Sequence, residues 1–179
     1  LSANLKLAGA RPYLIKKIAD TNIAVIGLTN EEAKVKAGGL ELEDAKTAVS
    51  PTIQEVKKNK ADLILVLSYL GEQKDKELLN EVKDIDIIIS GRPTESPDNS
   101  TKIGSTFLIR PSWQGRRLSR IDLELENHKI KELKLEQIRL SSEIADAPEI
   151  SKFLPRCFSD TDCFENGLRG RCNSPAKLD

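Results

Sequence analysis

The sequence has no methionine, a single histidine, and no cysteine before residue 157 of its 179 residues. One histidine excludes a histidine metal triad, and it leaves no Ser-His or Cys-His couple with a second imidazole behind it. His128 itself falls in "ENHKI", a charged hairpin turn, and is expected at the surface. Long apolar runs are missing as well. The longest, "LILVLSYL", is far short of the roughly 20 residues that cross a bilayer. Net charge is also missing, with 28 Lys and Arg against 28 Asp and Glu, so no long-range field draws the chain to nucleic acid or an anionic membrane. No phosphate-binding loop is present. "KAGGLE" lacks the Lys-Ser/Thr ending and the strand-to-helix setting, and Ser68, Ser90 and Ser112 lie in no Gly-x-Ser-x-Gly elbow. The opening "LSANLKLAGARPYL" has neither the basic start nor the apolar middle of a signal peptide, and begins at Leu1, so a processed chain or a fragment is expected.

What is present reads as a soluble α/β protein, 39% hydrophobic and 31% charged. "PYLIKKI" and "NIAVIGL" are strands joined by a short turn, and the near-continuous apolarity of the second marks a buried position. Ser50 followed by Pro51 supplies an N-cap and a first-turn proline for a helix running to about Lys60, with Ile53 and Val56 inward. "DLILVLS", "KDKELLNEVK" and "IDIIIS" then read as strand, amphipathic helix and strand. This alternation predicts a largely parallel core whose strand ends and following loops share one edge, where ligands bind in such sheets. The runs "IGSTFLIRP", "RLSRIDLELE" and "KIKELKLEQIRL" predict an antiparallel meander. Arg110, Arg116, Arg117 and Arg120 around Trp113 are read as a solvated strand face, not a nucleic-acid contact. The expected organisation is an α/β domain over 1–140 with a mixed sheet and flanking helices, a linker over 141–156, and a cysteine module over 157–179.

Cys157, Cys163 and Cys172 stand in "CFSDTDCFENGLRGRC". A C-x5-C-x8-C spacing with no histidine beside it suits zinc poorly and a secreted disulfide module well. Three cysteines leave the pairing open and one thiol over. An interchain bridge, or a module continuing past Asp179, would use it. Oxidation places the chain outside the cytosol, secreted or periplasmic.

The succession "LSANL", "PYLIKKIADTNIAVIGLTN", "ADLILVLSYLGEQKDKELLNEVKDIDIIISGRPTE" and "SWQGRRLSRIDLEL" resembles the second half of the catalytic domain of 5'-nucleotidase-type calcineurin-like metallophosphatases, over roughly residues 1 to 126. The resemblance implies half of an αββα sandwich. It also implies that "LSYLG" stands where the family reads Leu-Ser-His-Leu-Gly and "SGRPTE" where it reads Gly-Gly-His-Ser-His-Thr, histidines that bind a two-metal centre. Those positions fall on Tyr69, Arg92 and Thr94. An arginine cannot shed its proton to become a ligand, and Tyr and Thr are poor neutral donors. The family's remaining ligands precede the stretch matching "SAN". The expectation is a metal-free, non-catalytic binding or assembly domain needing no cofactor. Its exposed sheet face would be covered by a protein partner or by an N-terminal half of the family domain. The alternative is a metal-dependent phosphoesterase whose ligands come from such a half or another chain. Tyr69 also reads simply as an edge aromatic with its hydroxyl in water, and Arg92 with Thr94 as a polar turn. A sharper reading gives Arg92 an anion or an acidic partner to hold.

Overall fold

Three apolar runs with β-branched residues, each too short for a helix of any length, build the centre of the fold. A computed structural model describes residues 1–6, 8–30, 41–92, 100–111, 117–141, 144–145 and 147–151. Thr94, Trp113, Arg116 and the three cysteines lie outside them. The chain divides into two compact units, Leu1–Leu140 and Ser141–Asp179. In the second, the described part includes a short helix, Pro148–Ser151.

The first unit orders its elements as β1 (Leu5–Lys6), β2 (Tyr13–Ile18), β3 (Thr21–Leu28), β4 (Glu41–Leu42), α1 (Ala45–Lys58), β5 (Leu63–Ser68), α2 (Glu72–Glu81), β6 (Ile87–Ser90), β7 (Ser100–Ile103), β8 (Thr106–Ile109), β9 (Arg117–Glu126) and β10 (Lys129–Arg139). A six-stranded sheet runs β2-β3-β5-β6-β8-β7. Its centre, β3-β5-β6-β8, is parallel, and β2 and β7 close its edges antiparallel.

Alternation along each strand sorts the side chains onto two faces. Ala24, Ile26, Leu28, Ile64, Val66, Ile88 and Leu108 belong to one buried cluster with Val49, Ile53 and Val56 of α1 and Leu78 and Leu79 of α2. Burying side chains of this size contributes about 1.5–3 kcal/mol each. On the opposite face burial is graded: Leu63, Ile87 and Ile109 are buried, while Leu14 and Leu67 are 39% and 42% exposed. Gly27 points to this face, and a Cβ there would collide with the carbonyl of Leu1, so a glycine is required for the N-terminal segment to lie against β3.

Helix α1 begins six residues before the Ser50–Pro51 start that the sequence suggests, and Pro51 lies inside it. The cap is Asp44, whose carboxylate accepts from the Thr47 backbone N–H at 2.9 Å and the Thr47 hydroxyl at 3.0 Å. The buried stripe Ala48, Val49, Thr52, Ile53 and Val56 extends upstream of the proline, and its packing outweighs the one backbone bond the ring removes. The Ser50 hydroxyl donates back to the Lys46 carbonyl at 2.9 Å and caps nothing. The helix ends with Lys60 at φ 62, and the Lys60 and Ala61 N–H groups return to Lys57 and Val56. This is the arrangement that satisfies the last carbonyls of a helix.

The expected three-run meander divides in two. Gly104, at φ 59, splits its first run, so that β7 and β8 form a hairpin at the edge of the main sheet, with β8 parallel to β6. The other two runs form a separate two-stranded sheet, β9–β10, turning at Asn127 and His128 with φ of 50 and 60. Positive φ at both turn positions matches the twist of a two-residue hairpin. His128 is exposed as expected, and its Nδ1 stands 3.9 Å from Asp62 Oδ1.

Candidate functional site at the carboxyl ends of the parallel strands

β5 and β6 share a construction. Each is preceded by an aspartate whose carboxylate accepts from a backbone N–H of the neighbouring strand at 2.7 Å: Asp62 from Asn22, and Asp86 from Ile64. Each ends on a serine, and Ser68 and Ser90 are in register. One residue later the chain leaves the sheet, which puts Tyr69 after β5 and Arg92 two residues after β6 on one edge.

Backbone bonds hold these corners together. The Tyr69 N–H donates to the Leu28 carbonyl at 2.9 Å, and the Gly91 N–H to the Ser68 carbonyl at 2.7 Å. A Cβ on Gly91 would lie 4.0 Å from the Tyr69 ring, and one on Gly71 would lie 3.3 Å from Cδ of Arg92. Gly71 is the N-cap of α2 at φ 104, and no side chain caps that helix. The structure thus brings Tyr69 and Arg92 to one corner, with the Tyr69 side chain 45% exposed. Thr94, the third position, lies outside the described residues.

Beneath the corner is a row whose members the sequence reading did not bring together. Ser68, Ser90 and Arg110, at the ends of β5, β6 and β8, are 3%, 2% and 5% exposed. Two acids of α2 face them, one turn apart. Asp75, fully buried, accepts from the Ser68 hydroxyl at 2.5 Å, and that hydroxyl accepts from the Leu70 N–H at 3.1 Å. Glu72 meets Arg110 Nη1 at 2.9 Å and Lys76 at 2.6 Å. Arg110 is therefore a buried ion-pair member, which corrects its expected place on a solvated strand face. Two residues beyond Leu108, it falls on the helix-covered face by the same alternation, whereas the expectation had grouped it with the arginines of the β9 run. Arg117 and Arg120 are exposed on β9, as expected. Asp75 was legible in principle, since with Leu78, Leu79 and Val82 it occupies the i, i+3, i+4, i+7 stripe of α2, where a carboxylate needs a partner.

Burial pushes the Asp75 carboxyl above the ordinary aspartate range; the Ser68 and Ser90 hydroxyls pull it back and the Glu72 charge adds to the rise. The donor set here does not fit a divalent metal ion. Arg92 carries a fixed positive charge, Asp75 and Glu72 are turned to inner partners, and no three His, Cys, Asp or Glu side chains among the described residues are grouped to hold an ion. A cavity of about 230 Å³ lies beside the corner, lined by Asn4, Leu42, Leu70, Lys74 and Leu78 among others. It is smaller than the roughly 300–1,000 Å³ of ordinary ligand pockets.

No family model matches the chain. In sequence it is 25% identical over 170 residues to the trifunctional nucleotide phosphoesterase YfkN of Bacillus subtilis, covering 91% of this chain and 11% of that protein. It is 26% identical over 136 residues to the 5'-nucleotidase of Bos taurus, covering 66% of this chain and 24% of that one. In structure it is similar to the sulfate thiohydrolase SoxB of Thermus thermophilus, with a TM-score of 0.78, 22% identity, and 93% of this chain covering 32% of that one. The calcineurin-like phosphoesterase YfkN gives 0.67 at 19% identity, with 93% of this chain covering 61% of that one. The homologues are thus 5'-nucleotidases and a nucleotide phosphoesterase, the structural neighbours include a calcineurin-like phosphoesterase and a sulfate thiohydrolase, and the chain spans only part of each.

Proposed function

We propose, from a chain whose relatives are 5'-nucleotidases and calcineurin-like phosphoesterases, that this domain is a metal-free member of that group which binds rather than hydrolyses. The observation that carries this reading is Arg92, a permanent cation laid against Gly71 at the corner where the resemblance implies a metal-ligating imidazole. Tyr69 beside it is a phenol left about half exposed. A guanidinium at a strand edge suits a carboxylate or phosphate group of a partner, and its forked donors give such contact direction.

Surface and composition favour one form of assembly. Leu14 and Leu67, exposed on the face of the sheet away from α1 and α2, favour a protein partner or a further domain segment over them. Cys157, Cys163 and Cys172 favour an oxidising, extracytoplasmic location and an interchain disulfide, and one structural neighbour is a 5'-nucleotidase precursor. No helix among the described residues is long and apolar enough to cross a membrane.

Elemental analysis together with a phosphoesterase assay on the protein purified without chelator tests the reading. The expected result is no stoichiometric manganese, zinc or iron and no turnover of nucleoside monophosphates. Bound metal with nucleotide hydrolysis would establish the phosphoesterase reading in its place.

A further inference from the structure

The buried row beneath the corner joins three strands to one helix turn. Ser68 and Ser90 are paired in register on β5 and β6. Ile89 pairs with Ile109, so Arg110 is the next residue along β8 beside Ser90. Opposite them, Glu72 and Asp75 project from the first turn of α2, separated by the i, i+3 spacing that puts them on one side. Asp75 is the central member. One carboxyl oxygen is held by Ser68. The other, Oδ2, has no well-formed hydrogen bond, and neither has the hydroxyl of Ser90, although that hydroxyl acts on the same carboxyl.

A carboxylic acid and a carboxylate differ sharply in such a place. With a proton, Oδ2 is a donor, and Ser90 Oγ is an acceptor within the same cluster. Without one, the group is an anion in a buried position where Ser68 and Ser90 supply only hydroxyl dipoles. The charged groups around it do not relieve this. Glu72, on its own helix, is of the same sign, and Arg110, from β8, is engaged by Glu72. The short tie from Ser68 also sets the corner, because the same hydroxyl accepts from Leu70 N–H and the same residue's carbonyl accepts from Gly91 N–H. Displacing Asp75 therefore loosens both loops, the one carrying Tyr69 and the one carrying Arg92.

We propose that Asp75 is a proton-operated latch at the carboxyl edge of the sheet. Protonated, it holds the first turn of α2 against Ser68 and Ser90 and fixes the spacing of the Tyr69 and Arg92 corners. Deprotonated, it drives that turn to open toward water, so the corner is rigid in mild acid and mobile at neutral and alkaline pH. This does not depend on whether the edge binds metal.

Amide hydrogen exchange on the full chain, corrected for intrinsic rates, tests it at the Leu70, Asp75 and Gly91 amides between about pH 4 and 8. Protection in the natural protein should fall at least tenfold as pH rises. Asp75→Asn, which keeps shape and hydrogen bonding without a titrating proton, should hold protection constant. Glu72→Gln, which removes the like charge and releases Arg110, should move the fall to lower pH. A flat natural profile, a slope that survives in Asp75→Asn, or a fall that moves to higher pH in Glu72→Gln would overturn the latch. Should Asp75→Asn not fold, carbon-13 titration of the natural Asp75 carboxyl decides: a midpoint at or below the ordinary aspartate value of 3.8 overturns the proposal.

Discussion

Arg110 and Glu72 form an ion pair of 2.9 Å in which the arginine side chain is 6% exposed and the glutamate side chain 18%. It ties the end of β8 to the first residue of α2. Removing one partner leaves a buried cation whose charge is uncompensated, so Glu72→Gln should cost about 3 kcal/mol. Replacing both, with Arg110→Met and Glu72→Leu together, should recover most of that loss. Urea denaturation of the single and double variants measures the difference; a Glu72→Gln variant as stable as the natural protein would show that Arg110 does not depend on Glu72 for its charge balance.

Stability against pH should peak in mild acid. Burial raises the folded-state carboxyls of Asp75 and Asp86 above their ordinary 3.8. A raised acid binds its proton more tightly when folded, so its contribution is present at low pH and lost as pH climbs through the folded value. Asp44 works in the opposite sense. The Thr47 backbone N–H lowers it, and its contribution disappears as pH falls through its folded value. Urea midpoints from pH 3 to 9 should fall on both sides of an acidic maximum, and the Asp75→Asn, Asp86→Asn pair should flatten the alkaline limb.

The two possible starts of α1 separate by substitution. Asp44→Ala should cost about 1 kcal/mol by removing a helix cap. Ser50→Ala should cost almost nothing or stabilise slightly, because its hydroxyl only bonds back to Lys46 within the helix. Thermal unfolding of both variants checks this, and the reverse order would place the cap at Ser50.

A gain of function is expected at the corner itself. Tyr69→His with Arg92→His supplies two imidazoles on adjacent strand ends and removes a fixed positive charge, so the variant should bind nickel or zinc more tightly than the natural chain. Equilibrium dialysis of both proteins measures it. Equal affinity would mean that these two side chains do not converge.

The sequence was most legible where one side chain type filled a whole segment. β3, β5 and β6 were readable from "NIAVIGL", "DLILVLS" and "IDIIIS" because both faces carry apolar side chains, one packed under the helices and the other only partly covered. It was least legible where two rules competed. Ser50–Pro51 satisfies the local pattern for a helix start, yet the apolar stripe around Ala48 and Val49 packs with α1 already formed. Gly104 was lost inside an apparently continuous run because a two-residue turn interrupts alternation too briefly to notice. At the site, Tyr69 and Arg92 were found because a likeness marked them. Asp75 was missed and Arg110 misplaced because a buried charge is defined by its partners, which come from segments distant in sequence.

The paired aspartates and serines of β5 and β6 bear on how such an edge changes over time. With Asp62 and Asp86 anchoring where the strands enter and Ser68 and Ser90 where they leave, the frame is locked at both extremities and cannot slide. The side chains at 69 and 92 lie just outside that frame. Exchanging one chemistry for another there leaves the four anchors in place, as an instrument can be changed on a mount that stays bolted down.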